Sequence, residues 1–305
     1  MFSVHLIVID IMTLLTSFLG NTFILVVNAQ EWVKNKNISM SDLLICGISF
    51  FSSLYEVLKL CSYILLVPLS HLVFTYDVQR MSTVVCLAIM SCNIWISTWL
   101  SVNFCFRIVS IRHRFYIYLQ RRFPKMITWL LVPSVLVSFL LSLTFSWDVS
   151  ETHWSNVAFN SSSKNASSLV IAPRCVCWYE AFIVFSSLGF LLSIASLVTI
   201  IGSIYRHMKQ MRRSGESFHN PNLNVHIRAT KTIALLLVVN TLFCYALTLT
   251  ALKGNDSQWV LYIYIFTSFC YALNSLNIIL GNGKLKRKFV AGFVPCSCNG
   301  IQNNT

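Results

Sequence analysis

The sequence has 305 residues, of which 56% are hydrophobic and only 11% are charged, with a mean hydropathy of +0.68. Soluble domains usually contain about 25% charged residues and about 45–50% apolar ones, so this composition excludes a water-soluble globular protein. The formal net charge of +13 would suit nucleic acid, but the basic residues lie in short loops between apolar segments, and we expect no nucleic-acid partner.

Seven apolar runs follow one another along the chain, each long enough to cross a bilayer core of about 30 Å as a helix. They are 6–28, 43–67, 81–106, 126–147, 178–205, 232–252 and 259–280. Their length and the lack of strict alternation indicate helices, because only helices and closed barrels satisfy their backbone hydrogen bonds in hydrocarbon. The sequence therefore predicts a single all-α domain, a bundle of seven transmembrane helices, with a long outer loop at 148–177 and a tail at 281–305.

Four charged residues lie inside these runs: Asp10, Glu56, Lys59 and Glu180. Glu56 and Lys59 are three positions apart on the second helix, so they share a face and can pair. A charge at that depth costs at least about 2.5–3.5 kcal/mol unless it is paired or hydrated. Two compatible interpretations stay open, an internal ion pair that holds helices together and the wall of a hydrated pocket that opens to the outside.

Lys and Arg residues are distributed unevenly between the two sets of loops. Of the 23 in the chain, Lys59 lies inside a span and four lie on one side, namely Arg80, Lys164, Arg174 and Lys253, while the others lie on the opposite side. Cytoplasmic loops carry the excess of Lys and Arg in membrane proteins. We therefore predict a multi-pass plasma-membrane protein with its N-terminus outside, its C-terminus in the cytosol, and a basic cytosolic face near anionic lipid.

Two kinds of modification are predicted from this orientation. Asn160, Asn165 and Asn255 begin N-glycosylation sequons on the outer side. Cys296 and Cys298 follow the basic tail, which is a context for palmitoylation on the cytosolic side.

The sequence has no arrangement typical of an enzyme, such as a nucleophile with an acid/base partner at suitable spacing. Most of its 11 Cys residues lie inside apolar runs, where Cys packs as a small hydrophobe. His207, His219 and His226 lie in a basic loop and are expected to be solvated rather than metal-bound. We predict no catalysis, no cofactor and no metal.

Short strings at the helix ends carry a family resemblance. They are LGNTFI at 19–24, WISTWLSVNFCFRI at 95–108, LQRRF at 119–123, SIYRHMKQM at 203–211, HIRATK at 226–231 and ILGNGKLK at 279–286. The last three are similar to S-L-x-x-H-x-x-x-M, H-V-R-A-x-K and I-L-G-N-x-K-L-K of the type 2 taste receptors, the bitter taste receptors. Because the matches run in register from the first helix to the tail, the chain is identified as a member of that family.

Several positions depart from the family's pattern and indicate a divergent member. Ser52 stands where most members have Arg, Gly189 stands where the fifth helix usually has Pro, and YALNS at 271–275 replaces P-x-x-H-S. Type 1 vomeronasal receptors share seven helices and an R-A-T string but lack the I-L-G-N-x-K-L-K ending. A pheromone receptor of that kind is therefore the second interpretation, and a seven-helix transporter or channel is the third.

The resemblance implies a G-protein-coupled receptor that detects small bitter compounds and activates a gustducin-like heterotrimeric G protein. Helical spacing selects candidate ligand contacts, which are Thr83, Leu87 and Met90 on the third helix and Tyr264, Ser268 and Tyr271 on the seventh, and Tyr264 also matches a ligand-contacting position of the family. Glu180, Tyr245, Glu56 and Lys59 could complete the wall of the site. The motif matches and the basic loops select residues for G-protein coupling, which are Arg107, Arg122, His207, Met211, His226, Arg228 and Lys231.

Overall fold

The computed structural model describes residues 2–66, 76–109, 114–148, 176–213, 221–253 and 257–293, together with most of their side chains. The helices in these ranges are α1 (Phe2–Asn35), α2 (Met40–Leu66), α3 (Tyr76–Ile108), α4 (Arg114–Asp148), α5 (Val176–Arg213), α6 (Pro221–Lys253), α7 (Ser257–Gly281) and α8 (Gly283–Phe293). Each of α1 to α6 contains a stretch long and apolar enough to cross a membrane, and α7 adds the shorter apolar stretch Ile265–Gly281. The predicted all-α bundle of seven helices is confirmed.

Three helices extend well beyond the apolar runs that predicted them. Helix α4 begins at Arg114 rather than near position 126, and α6 begins at Pro221 rather than near position 232. Helix α5 continues to Arg213 rather than ending near position 205. Hydropathy marks only the part of a helix that suits hydrocarbon, whereas helical hydrogen bonds continue among polar residues in water.

Each of the seven long helices packs on its chain neighbours, and α7 packs on α1, so the helices close into a bundle. Helix α3 lies in the middle of this bundle and contacts α2, α4, α5 and α6. Its apolar stretch Val84–Ile108 is 83% buried, against 22–44% for the corresponding stretches of α1, α2, α4, α5 and α6.

Polar side chains tie α3 to its neighbours. The Trp99 indole N–H donates to Ser134 Oγ on α4 at 3.0 Å, and the Ser91 hydroxyl donates to Ser138 Oγ on the same helix at 2.9 Å. On α5, the Gly189 carbonyl accepts from the Thr98 hydroxyl at 3.0 Å. Such bonds fix the rotation of α3, because a buried donor without a partner costs about 1–3 kcal/mol.

Two contacts at opposite ends of the bundle show that α1 and α2 are antiparallel. Lys59, late in α2, bonds to Asp10, early in α1, whereas Asp42, early in α2, shares the Lys284 ammonium with Asn28, late in α1. We call the end that carries Lys284 and α8 the basic end, because Arg107 near the end of α3 and Arg228 near the start of α6 also lie there, and we call the other the opposite end.

Local sequence explains how α2 and α8 begin. The Asp42 N–H donates to Ser39 Oγ at 3.1 Å and the Ser39 hydroxyl donates back to Asp42 Oδ2 at 2.8 Å, a reciprocal cap at the start of α2. At the start of α8, the Lys284 N–H donates to Asn282 Oδ1 at 3.1 Å. Both caps satisfy N–H groups that have no partner within their own helix.

Candidate functional site

A buried ion pair joins three helices in the half of the bundle toward the opposite end. The Lys59 ammonium lies 2.8 Å from Asp10 Oδ1 on α1 and donates to Ser268 Oγ on α7 at 2.6 Å. All three residues are almost fully buried. This corrects the pairing expected from sequence spacing: the ion pair of Lys59 is made with Asp10 rather than with Glu56, because the packing of α1 against α2 places the Asp10 carboxylate opposite the ammonium.

Glu56 lies one turn away from Lys59 on α2 and is 0% exposed. Neither of its carboxylate oxygens has a hydrogen-bond partner among the described residues. An aromatic cluster surrounds this level of the bundle, with the Tyr55 and Tyr271 rings 4.8 Å apart and Phe243 edge-on to Tyr271 at 5.5 Å. The result is a polar and aromatic centre between α2, α6 and α7.

The structure brings some of the predicted ligand contacts together and leaves others apart. Met90, Ser268 and Tyr271 are buried in this region, and Leu87 packs against the same cluster. Glu180 is exposed, and Tyr245 exposes 61% of its surface, so neither belongs to the buried set. Thr83 and Tyr264 lie on α3 and α7, but their side chains are outside the described ones.

Sequence reasoning did not assign Asp10 or Asn93 to this region. The signal for Asp10 was present, because it is one of the four charged residues within apolar runs and a buried carboxylate requires a partner. Asn93 is 6% exposed on α3, and its amide gave no comparable signal in a helix rich in buried polar residues.

A cavity of about 260 Å³ opens at the basic end. Its lining comes from α2, α3, α6, α7 and the start of α8, and includes Asp42, Arg107, Arg228, Thr232 and Gly281. The Arg107 guanidinium donates to Ser41 Oγ on α2 at 2.8 Å, and the Asn103 amide donates to the same oxygen at 3.0 Å. Arg107 and Arg228, both selected from sequence motifs, therefore line one cavity.

Lys284 holds α8 against the bundle beside this cavity. Its ammonium contacts the carboxylates of Glu31 and Asp42, and donates to Asn28 Oδ1 at 3.1 Å. Partial burial, and then the charge of Lys288, lower the pKa of the Lys284 ammonium. The motif that contains Lys284 was recognised from the sequence, but its role in joining α1, α2 and α8 was not.

Side chains at the start of α4 donate hydrogen bonds to backbone carbonyls at the end of α3. The Gln120 amide donates to the Phe106 carbonyl at 2.7 Å, and the Tyr116 hydroxyl donates to the Cys105 carbonyl at 3.4 Å. The carbonyls of the last helical turn lack partners further along their own helix, and Gln120 supplies one to Phe106. The Cys105 carbonyl also accepts from the Val109 N–H at 3.0 Å. Burial, and then the nearby Cys105, raise the pKa of Tyr116 to about 12, so its hydroxyl remains a donor at physiological pH.

The other residues predicted for coupling are not gathered in the cavity lining. Arg122 is exposed and its guanidinium lies 5.1 Å from the centre of the Tyr118 ring, and Lys231 is also exposed. The side chains of His207, Met211 and His226 are outside the described ones, although their backbones lie on α5 and α6. The predicted modification sites lie outside the described residues; they are Asn160, Asn165, Asn255, Cys296 and Cys298.

Comparison with known proteins yields one family over nearly the whole chain. A family model described as "Taste receptor protein (TAS2R)" matches residues 1–296. Taste receptor type 2 member 41 of Pan paniscus is 28% identical over 211 residues, which cover 65% of this chain and 66% of that receptor. The chain thus spans just under two thirds of that relative's length.

Two further relatives align over almost their full length. Taste receptor type 2 member 41 of Rattus norvegicus is 27% identical over 301 residues, covering 94% of each chain. Taste receptor type 2 member 40 of Gallus gallus is 24% identical over 290 residues, covering 94% of this chain and 93% of that receptor. Identities at this level agree with a divergent sequence.

Proposed function

Because the chain belongs to the type 2 taste receptor family, whose members are receptors rather than enzymes, we propose that it is a G-protein-coupled chemosensory receptor for small bitter compounds. In this proposal it resides in the plasma membrane with its N-terminus outside and activates a gustducin-like heterotrimeric G protein. That it is a multi-pass membrane protein follows from the family and from the membrane-spanning helices.

The observation that carries the proposal is the cavity at the basic end. A surface that receives an intracellular partner needs a recess with donors aimed into it, and Arg107 and Arg228 supply guanidinium groups to this one. Asp42 lies in the same lining, so the recess has groups of both charge signs. Carboxylate groups of a G-protein segment are acceptors that guanidinium groups bind strongly, with two parallel hydrogen bonds.

The ligand would bind between helices toward the opposite end. Bundles place ligand sites between facing helices, in mostly apolar pockets with a few polar groups. Met90, Ser268 and Tyr271 provide such a mixture close to the Lys59 ammonium, and Tyr264 lies about two turns further along α7 toward the opposite end.

Two helices connect the proposed ligand region with the cavity. Helix α3 carries both Met90 and Arg107, and α7 carries both Tyr271 and Gly281. An agonist shifts the receptor only if it binds the active arrangement better than the resting one. A change in how α3 and α7 pack near Tyr271 would therefore alter the cavity lining.

We include in the same proposal the other residues that the sequence analysis predicted for coupling, ligand contact or modification. They are His207, Met211, His226, Arg122 and Lys231 for coupling, Leu87, Thr83, Glu180, Tyr245 and Glu56 for the ligand wall, Asn160, Asn165 and Asn255 for glycosylation, and Cys296 and Cys298 for palmitoylation. The basic residues of α8 would lie near anionic lipid of the inner leaflet.

The test measures agonist-dependent nucleotide exchange on a co-expressed G protein in membranes, after a panel of bitter compounds has identified an agonist. We expect Arg228→Ala and His207→Ala to reduce the exchange rate by about tenfold, the equivalent of about 1.4 kcal/mol, at equal surface expression. Lys36→Ala is the matched control, because Lys36 is an exposed basic residue of the α1–α2 loop that does not line the cavity.

Normal exchange by both variants would refute the assigned coupling residues. Substrate flux or ionic current without any G protein would instead favour a transporter or channel.

A further inference from the structure

The connection between α1 and α2 carries an exposed serine. Residues 36–39 join Asn35, the last residue of α1, to Met40, the first of α2, and all four are exposed and non-helical. Ser39 is the last of them. Its hydroxyl donates to Asp42 Oδ2 at 2.8 Å, and its Oγ atom accepts from the Asp42 N–H at 3.1 Å. Ser39 therefore caps α2 from the surface of the basic end.

Charged residues flank Ser39 on both sides in the sequence. Lys34 and Lys36 precede it, and both are exposed. Asp42 follows it, but the Asp42 carboxylate is already bound by the Ser39 hydroxyl and by the Lys284 ammonium. The two lysines are therefore the charges that an incoming enzyme can reach. Protein kinases select substrates by such charge patterns, and basic residues shortly before a serine suit kinases with an acidic substrate groove.

The cavity at the basic end places guanidinium groups from two other helices beside this serine. Ser39, Arg107 and Arg228 all line it. The Arg107 guanidinium of α3 donates at 2.8 Å to the hydroxyl of Ser41, two residues beyond Ser39. The Nη1 atom of Arg228, on α6, lies 3.4 Å from the position that a Cβ atom on Gly283 would occupy. The first turns of α2 and α8 and both guanidinium groups therefore border one cavity.

Neither of these guanidinium groups forms an ion pair with a carboxylate in the part of the chain that the structure describes. The ion pairs found there at the basic end are those of Lys284 with Glu31 and Asp42. Asp42, the acidic residue in the described cavity lining, is thus compensated by Lys284. A phosphoserine carries a charge of about −1.5 to −2 at pH 7, which matches two guanidinium groups. Guanidinium and phosphate groups also fit each other through parallel hydrogen bonds.

We propose that Ser39 is a phosphorylation site for a cytosolic protein kinase that prefers basic substrates, and that its phosphate binds Arg107 and Arg228 across the cavity. In the reaction the Ser39 oxygen bonds to the γ-phosphorus of ATP and the bond from that phosphorus to the β,γ-bridging oxygen breaks. ADP leaves, and the hydroxyl proton passes to the catalytic carboxylate of the kinase. The first turn of α2 opens while the kinase is bound, as the ends of helices readily do. The inference rests on the proposed function for its orientation, which places Ser39 in the cytosol.

Phosphorylation would lower the access of a G protein to the cavity. The phosphate occupies the guanidinium groups that are proposed to bind carboxylates of the G protein, and it repels those carboxylates. Ser39 also loses the proton that it donates to Asp42, while the phosphate oxygens can still accept from the Asp42 N–H. Coupling therefore falls while α2 keeps its cap.

The first test treats membranes that contain the full-length receptor with ATP and either cAMP-dependent protein kinase or protein kinase C, and locates phosphate by mass spectrometry. We expect phosphate on Ser39 but not on Ser41, which is 6% exposed. Changing both Lys34 and Lys36 to Gln should lower the modification about fivefold, because two exposed ion pairs with the kinase are lost. Lys209→Gln removes an exposed lysine of α5 and should leave the modification unchanged. Unmodified Ser39 with both enzymes overturns the proposal, as does equal modification without the two lysines.

A second measurement determines where the phosphate lies. Phenylglyoxal reacts with accessible guanidinium groups, and mass spectrometry compares its adducts in the phosphorylated and the phosphatase-treated receptor. We expect Arg107 and Arg228 to react about fivefold more slowly in the phosphorylated form, because the phosphate shields them. Arg122 is also exposed but does not line the cavity, so it should react equally in both forms. Equal reaction of Arg107 and Arg228 in the two forms overturns the proposal.

Nucleotide exchange separates this inference from the proposed function. In the presence of agonist, phosphorylation should lower the exchange rate about tenfold, and phosphatase should restore it. Ser39→Ala should show the same rate with and without kinase treatment. Equal exchange by the phosphorylated and phosphatase-treated receptor overturns the inference. A receptor that shows no exchange in either form contradicts the proposed function, whereas the two mass measurements use neither agonist nor G protein and decide the phosphorylation site by themselves.

Discussion

Replacing Gly281 by Ala should loosen the junction between α6 and α7 at the basic end. A Cβ atom at position 281 would overlap the Thr232 hydroxyl and lie 3.0 Å from both Thr232 Cβ and Thr232 Cγ2. The Asn277 amide donates to the Thr232 carbonyl at 2.9 Å in the same junction, so the two helices cannot separate without losing that bond.

The cost follows from two opposing effects. Forcing atoms into a packed helix contact costs about 1–3 kcal/mol, whereas Gly-to-Ala substitution in a helix gains about 1 kcal/mol. The net loss is up to about 2 kcal/mol, or roughly 2–4 °C in melting temperature for a chain of this size. At Gly202 on α5 no atom lies within 4 Å of the added methyl group, so Gly202→Ala receives the gain without the cost and should be neutral or stabilising.

Thermal unfolding of the purified receptor, followed with a thiol-reactive dye, measures both variants. The double variant Gly281→Ala with Thr232→Ala should recover most of the loss, because the overlapping side chain has been removed. Since both residues line the cavity, Gly281→Ala should also lower agonist-dependent exchange. A melting temperature of Gly281→Ala equal to that of the unmodified chain, or no recovery in the double variant, would refute this reasoning.

Three further outcomes are expected. Lys59→Met leaves the buried Asp10 carboxylate without its ammonium partner and should cost about 3–5 kcal/mol, seen as lost surface expression and a lower melting temperature. Adding Asp10→Asn should restore part of the loss, and normal expression of the single variant would contradict the prediction. Tyr264→Ala should remove agonist-evoked calcium signalling at unchanged surface expression, and an unaltered dose response would exclude Tyr264 as a ligand contact. Asn160→Gln with Asn165→Gln should increase gel mobility as peptide N-glycosidase treatment does, whereas identical mobility before and after both changes would mean that neither site carries a glycan.

The helices were predictable because bilayer thickness fixes how many apolar residues each crossing needs. The burial of Glu56 and Lys59 was predictable for a related reason, since charged residues inside apolar runs must avoid lipid. The partner of Lys59 was not predictable, because spacing within α2 says nothing about the axial offset of α1, and that offset selects Asp10.

The sequence predicted some site residues correctly at each end of the bundle and missed others. At the basic end, motif matches selected Arg107 and Arg228, and both line the cavity. The two ion pairs of Lys284, with Glu31 and with Asp42, were not predicted, because they depend on where these carboxylates lie after α1 and α2 have packed. The sequence offered both Tyr245 and Tyr271 as candidates for the ligand wall, but only packing shows that the first is exposed and the second is buried.

The central position of α3 bears on how the chain is made. Its Ser91 and Trp99 find hydrogen-bond partners on α4, and its Thr98 finds one on α5, so these partners are synthesised after α3 itself. A nascent chain that ends just beyond α3 has no α4 to accept from Ser91 and Trp99. The final packing of α3 therefore requires helices that are synthesised after it, so the central helix of the bundle is not the first to reach its native contacts.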